Sequence, residues 1–195
     1  MKYLRSIKMI LPFDFQMDKY GVHVRLVKES DAQFIVSLRT NPQLNKYIHF
    51  TSNDVIAQVN WIKSYKERER KGIEYYFIYS FRGVDYGVSR LYNITEKDFT
   101  SGSWVFLPTS PVGLSVLSSI IVKEIAYDIL GLESDYADIR KNNKSVIKFN
   151  MSFQPEIIKE DEENIYLRFD KALFNNNKMR HVEVCTNLLG VEYNK

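Results

Sequence analysis

The amino-acid sequence predicts a mixed α/β fold: a central, mostly antiparallel sheet flanked by helices. Three observations carry that expectation. A strand, a tight turn and a long helix follow one another between Ser103 and Gly131. Two apolar runs, Tyr75 to Phe81 and Gly87 to Tyr92, bracket an Arg82-Gly83 turn, as a hairpin requires. The full order reads strand, two helices, three strands, helix, strand, helix, two strands. Such an order makes an antiparallel meander leading into one parallel crossover.

Residues 1–20, with Ile10-Leu11-Pro12-Phe13 at their middle, read as an arm or an extra edge strand. Val22 to Val27 alternates apolar with polar residues and predicts a half-buried strand. Ser30 or Asp31 caps a helix through Phe34, Ile35 and Leu38, which stops near Asn41-Pro42. A polar-aromatic segment, Leu44 to Phe50, leads to a second helix. That helix starts at Asn53 or Asp54, carries Val55, Ile56, Val59, Ile62 and Tyr65, and stops at Gly72. After the hairpin, Thr95 to Ser101 is expected as a loop.

Trp104 to Leu107 is a continuous run of strand formers, as in a strand buried on both faces. Ser110-Pro111 signals a helix start and Gly131 its end; Val116, Leu117, Ile120, Ile121, Ile125 and Ile129 form the apolar stripe between. A strand, turn and helix start of this kind offers free backbone N–H groups and a positive dipole end to an anion, phosphate above all. The same element also reads as a plain, well-capped core helix.

Tyr136 to Arg140 is a further strand, and Lys141-Asn142-Asn143 turns into a helix holding Val146, Ile147 and Phe149. Ile157-Ile158 and Ile165 to Phe169 form a closing hairpin across the acidic run Glu160 to Glu163. Lys171 to Lys195, with Asn175-Asn176-Asn177, reads as a peripheral tail.

At 195 residues, with 45% hydrophobic and 14% aromatic content, the chain suits one globular domain over 1–195. Its core spans about 22–170, with the arm before it and the tail after it. A net charge of +3 fits a polyanionic small molecule as readily as a nucleic acid, but no basic stripe interleaves with aromatics, so a nucleic-acid partner is not expected. The single Cys185 rules out an internal disulfide and fits a reducing, cytoplasmic setting. No apolar run approaches a membrane span, and no long apolar stretch or small-residue cleavage site follows Lys2, Arg5 and Lys8, so secretion is not expected.

Five pieces of the chain, in this order, resemble the GNAT superfamily of N-acetyltransferases: LNKYIHFTS (44–52), EYYFIYS (74–80), YGVSRLYNI (86–94), GSWVFLP (102–108) and DIRKNNKSVIKFN (138–150). They are similar to a bacterial subgroup that acetylates sugar nucleotides for surface polysaccharides. The resemblance implies the GNAT acyl-CoA N-acyltransferase fold and acetyl-CoA as co-substrate. It implies a primary amine as acceptor, foremost an amino sugar on a nucleotide-activated sugar, and leaves room for a homodimer. A protein N-terminus, another small amine, or a catalytically weak acyl-CoA-binding module are the alternatives.

The resemblance also carries site residues. Trp104, Val105 and Phe106 would pair by backbone with the pantetheine arm, while Val112, Gly113, Leu114 and Ser115 would hold the pyrophosphate. The superfamily's cradle signature (Arg or Gln, two residues, Gly, one residue, Gly or Ala) falls here on Ser110, Gly113 and Ser115, and only Gly113 fits. On that reading Gly113→Asp weakens acetyl-CoA binding and leaves the fold intact. Asn143 would face the pantetheine, or else merely cap its helix. Phe149 and Asn150 stand where many members carry a tyrosine general acid, and asparagine has no acidic proton to give.

Acetyl transfer to an amine needs a base and donors for an oxyanion. His49, whose imidazole suits that work, and Glu74 acting through water are the candidate bases. The plain readings are a loop histidine and a charged residue entering a strand. Asn45, Tyr75 and Arg90 are the candidate substrate contacts. Arg90 stands amid an uncharged strand, where it must pair with an acid or face a ligand phosphate. Arg39, Lys46, Arg68 and Arg70 add a positive field or form a solvated face. His23 reads as structural, and His181-x-Glu183-x-Cys185 is too sparse to suggest a metal, so none is expected.

Overall fold

The computed structural model describes residues 9–193. Eight strands form one sheet: β1 Gln16–Lys19, β2 Val22–Leu26, β3 Tyr75–Phe81, β4 Val84–Tyr92, β5 Asp98–Phe106, β6 Ser134–Arg140, β7 Glu156–Glu160 and β8 Asn164–Asp170. Their spatial order is β1-β2-β3-β4-β5-β6-β8-β7, antiparallel throughout except where β5 pairs with β6. Helices α1 (Ala32–Thr40) and α2 (Val55–Arg70) pack on one face. On the other lie α3 (Leu114–Glu124), α4 (Lys144–Met151) and α5 (Lys171–Leu189).

The period-2 alternation of β3 and β4 sorts the core between these faces. Tyr76, Ile78, Val88 and Val105 meet α1 and α2, whereas Tyr75, Phe77, Tyr79, Leu91 and Phe99 meet α3 and α5. All seven residues of β3 are buried, because helices cover both its faces. Asp54 caps α2 by accepting from the N–H groups of Ile56 (2.8 Å) and Ala57 (3.1 Å). The hairpin turn falls at Arg82-Gly83, both at positive φ.

Several expectations change. Thr95 to Ser101 is not all loop, since β5 begins at Asp98 and pairs with β6 from there. The Trp104 run is not buried on both faces: Val105 is, while Trp104 and Phe106 are only half-buried and Leu107 lies past the strand. The long helix is two pieces, α3 and a π-turn over Ile125–Ile129, before Gly131 at φ 72°. Ser110 caps nothing; its hydroxyl donates to the Leu107 carbonyl at 2.6 Å, and α3 starts only at Leu114. Of the N-terminal arm, Gln16–Lys19 is the edge strand β1; residues 1–8 lie outside the described residues.

The largest revision is the tail. Residues 171–189 form α5, capped by Asp170 and ended by Gly190 at φ 63°. Phe174, Val182, Cys185 and Leu189 recur at helical spacing and are buried against the rest of the core. Each such side chain contributes roughly 1.5–3 kcal/mol by leaving water. Lys178, which breaks the stripe, pairs with buried Glu124 at 2.7 Å. No helix among the described residues is long and apolar enough to cross a membrane.

Candidate active site

β5 and β6 pair only from Asp98↔Ser134 to Thr100↔Tyr136 and then part. A buried ion pair sets the apex of this splay. Asp135, fully buried, accepts from the Ser101 N–H (2.9 Å) and hydroxyl (2.7 Å), and from Lys123 of α3. Lys123 also reaches the Ser101 hydroxyl at 3.2 Å and lies over the Phe169 ring. Beyond the apex, β5 from Ser101 to Phe106 has no strand beside it on the β6 side. A bulge follows, where Val88 and Arg90 of β4 face Val105 and Gly102 and Ser103 takes φ 51°.

The parting strands leave a slot of about 390 Å³ through the sheet. Gly102, Ser103 and Trp104 line one wall, and Asp138 to Arg140 with Asn143 the other. The segment Leu44 to His49 roofs it on the α1/α2 side, where the Tyr47 hydroxyl donates to the Asn142 carbonyl at 3.0 Å. Nothing local in the polar-aromatic segment marks Tyr47, because its partner, the Asn142 carbonyl, lies 95 residues away in sequence. The slot's tyrosine stands on the wall opposite the helix after β6.

α3 lines the slot through Ser119, Val122 and Lys123, and upstream of them it begins with no side chain capping its N–H groups. The Leu114 N–H is already donated to the Pro111 carbonyl at 3.1 Å, and its side chain is fully buried. Leu114 is therefore removed from the expected cradle donors. Val112 is exposed, and Gly113 is the residue before the helix, at φ 95°. With Ser110 turned to Leu107, no hydroxyl competes for the helix start.

Gly113 has a second duty. A Cβ there would lie 3.0 Å from the Cys185 Cβ and 3.1 Å from its Cα, so α5 crosses directly over the loop. Gly113→Asp would thus disturb the fold as well as the cradle, contrary to the sequence expectation. Gly113→Ala is expected to lower stability by at least about 1–2 kcal/mol, from the left-handed backbone alone. Burial also pushes the Cys185 thiol pKa up, so it should react slowly with a thiol reagent in wild type and faster in Gly113→Ala. An unchanged unfolding midpoint and unchanged thiol reactivity would refute this packing.

Trp104 donates its indole N–H to the Ser115 carbonyl (3.1 Å) and stacks on Phe149 of α4, centroids 5.7 Å apart. Asn143 precedes α4 without capping it and lines the slot, its amide oxygen accepting from the Ser145 hydroxyl at 3.3 Å. Asn150 lines the slot but donates to the Val146 carbonyl at 2.9 Å. His49 lines the roof, exposed, its carbonyl accepting from Arg39 at 3.3 Å.

The other expected site residues are placed elsewhere. Glu74 is buried between Arg68 (2.5 Å) and Arg90, its carboxylate engaged by two guanidiniums and not turned into the slot. Tyr75 points to the opposite face, fully buried, its hydroxyl accepting from the Leu11 N–H at 3.0 Å; it is no substrate contact. Asn45 is exposed on the outside of the roof. His23 bonds Asp18, while His181 bonds Ser152 and packs on Phe149 and Phe153. Burial and the neighbouring Arg180 lower the His181 pKa. No group of three or more metal-ligating side chains occurs among the described residues.

The fold is shared by known structures. FdhC, described as a nucleotide-linked sugar GNAT, is 36% identical over 86% of this chain and 97% of its own, with a TM-score of 0.78. This chain belongs to the GNAT superfamily. The GNAT fold recurs in Mycobacterium smegmatis RimJ in complex with CoA-disulfide (14% identity, 87% of this chain and 91% of that one, TM-score 0.71). It recurs also in the Campylobacter jejuni N-acetyltransferase PseH (18%, 77% and 99%, TM-score 0.59). No protein-family model and no curated protein matches the sequence. As a GNAT the protein is an acetyl-CoA-dependent N-acetyltransferase.

Proposed function

We propose that this GNAT transfers acetyl from acetyl-CoA to an amino group on a nucleotide-activated sugar, the whole chain acting as one catalytic unit. The observation that carries the reading is the splay of β5 from β6, opening a slot that runs from Ser119 and Val122 of α3 to the roof at His49. In support, FdhC is described as a nucleotide-linked sugar GNAT.

In this reading the diphosphate of the coenzyme rests on the N–H groups at Gly113 and Ser115, where the α3 dipole favours negative charge. The pantetheine runs down the slot beside Gly102 to Trp104, with Asn143 on the facing wall, and pairs with the backbone that β6 leaves free. The thioester then reaches the roof from below and the amine from the α1/α2 side. His49 takes a proton from the acceptor's ammonium so that the neutral amine can attack the thioester carbonyl, and β5 N–H groups stabilise the oxyanion. The new C–N bond forms as the C–S bond breaks, and the thiolate leaves without needing a strong acid, since a thiol pKa is near ~8.5.

The test is CoA release from acetyl-CoA in the presence of dTDP- and UDP-linked amino sugars, with peptide N-termini in parallel. Turnover on an amino-sugar nucleotide is the expected result. Turnover on peptides alone would replace it with protein acetylation.

A further inference from the structure

Resting on the sugar-nucleotide reading, we propose that a second cavity, next to the slot on the α1/α2 face, is the seat of the acceptor's nucleoside diphosphate. Arg39, Tyr76 and Arg90 would grip its phosphates, and Phe50 would hold its base. The cavity measures about 280 Å³ and is also lined by Gln58 and Trp61.

Its polar groups are donors short of an acceptor. The Tyr76 hydroxyl, on a residue 2% exposed, has no hydrogen-bond partner, and neither has the buried Nε of Arg90. Orphaned buried donors are costly, and an acceptor-rich ligand relieves them. Burial raises the Tyr76 pKa, against which Arg39 and Arg90 act, so the phenol keeps its proton to donate.

The charge is positive and held in place. Arg90 lies over the rings of Trp61 (5.1 Å), Tyr92 (5.3 Å) and Tyr76 (5.7 Å), with Glu74 beyond. Glu74 is shared with Arg68, so two guanidiniums face one carboxylate. Arg39 bonds the Thr51 hydroxyl (2.7 Å) and the His49 carbonyl (3.3 Å) and has no carboxylate partner among the described residues. Asp54, the acid on the rim, has its carboxylate engaged on the first N–H groups of α2. A diphosphate matches several forked donors in one small space better than a single carboxylate does.

Phe50 accounts for the nucleoside half. It is 94% exposed at the mouth, while the faces of Trp61 are taken by Tyr65 and by the guanidiniums of Arg68 and Arg90. Phe50 is thus the ring left open for a base to stack on. The two cavities share one wall. Leu44 and Lys46 to His49 line the slot and Phe50 to Ser52 the second cavity, while Arg90 is the register partner of Gly102 in the slot. One ligand therefore reaches from His49 to Arg90.

Calorimetry on the full chain with dTDP, UDP and inorganic pyrophosphate tests this without any acceptor amine. Wild type is expected to bind the nucleotides. Tyr76→Phe and Arg39→Gln should each weaken nucleotide and pyrophosphate binding by about tenfold or more, as for a lost hydrogen bond to a charged group. Phe50→Ala should weaken nucleotides by about tenfold and leave pyrophosphate unchanged. Acetyl-CoA affinity should not move in any variant. Wild type that binds neither nucleotide, or variants that bind them as wild type does, would overturn the subsite. Amino-sugar nucleotide turnover with KM unmoved by Tyr76→Phe and Arg39→Gln would also overturn it, while leaving the proposed activity standing. Nucleotide binding lost in these variants, without turnover, would keep the subsite and remove the activity.

Discussion

Alanine in place of His49 is expected to lower kcat by about 10²–10⁴-fold and to leave acetyl-CoA affinity near the wild-type value. That range is what a positioned general base contributes. The reasons are placement and chemistry. His49 stands on the roof of the slot, on the side from which the amine would enter in the proposed reading, and its backbone is tethered by Arg39. Imidazole is the side chain whose ordinary titration spans neutral pH. Glu74, the other candidate, is committed to Arg68 and Arg90. The acidic limb of the kcat/KM profile should flatten in His49→Ala, because the group that must be unprotonated is gone. Equal losses in turnover and acetyl-CoA affinity, with the limb intact, would take His49 out of that role.

Asp135→Ala is expected to cost about 3–5 kcal/mol of folding free energy, the range for removing one member of a buried ion pair. Lys123 would be left charged and almost wholly buried, and the Ser101 N–H would lose its acceptor. Urea unfolding measures the loss, with an unchanged slope as the check that the unfolded state is not altered. The double variant Lys123→Met with Asp135→Leu should recover much of it, because apolar residues of similar volume need no partner. A loss below about 1 kcal/mol in Asp135→Ala would mean that the pair does not anchor the apex. Since Asp135 ties β6 to β5 where the ladder ends, the recovered double variant should still bind acetyl-CoA less well. Its slot has lost the hydrogen bonds that set the opening.

Much of the element order was legible because it is written in local patterns. The alternation of Val22 to Leu26, the hairpin at Arg82-Gly83, the Asp54 cap and the Asn143 turn each depend on neighbours a few residues away. Helix α5 was missed for a related reason. Its stripe of Phe174, Val182, Cys185 and Leu189 is interrupted by Lys178 and flanked by three asparagines, so the period is weak until Glu124 is seen to accept the lysine. The start of α3 was misplaced because Ser110-Pro111 carries a strong local signal that the Leu107 carbonyl overrides.

By itself, then, the sequence determined most strands and helices, the hairpin and the strand-turn-helix order, through periodicity and capping that act over a few residues. Only the tertiary structure decided how far β5 and β6 pair, where Asp135 and Lys123 meet, why Gly113 cannot bear a side chain, that Tyr75 turns to the face opposite Tyr76, and that Glu74 is committed to Arg68 and Arg90. Those are questions of which face and which distant neighbour. Adjacent tyrosines with the same chemistry take opposite sides of one strand, and no local pattern says which side will hold the ligand.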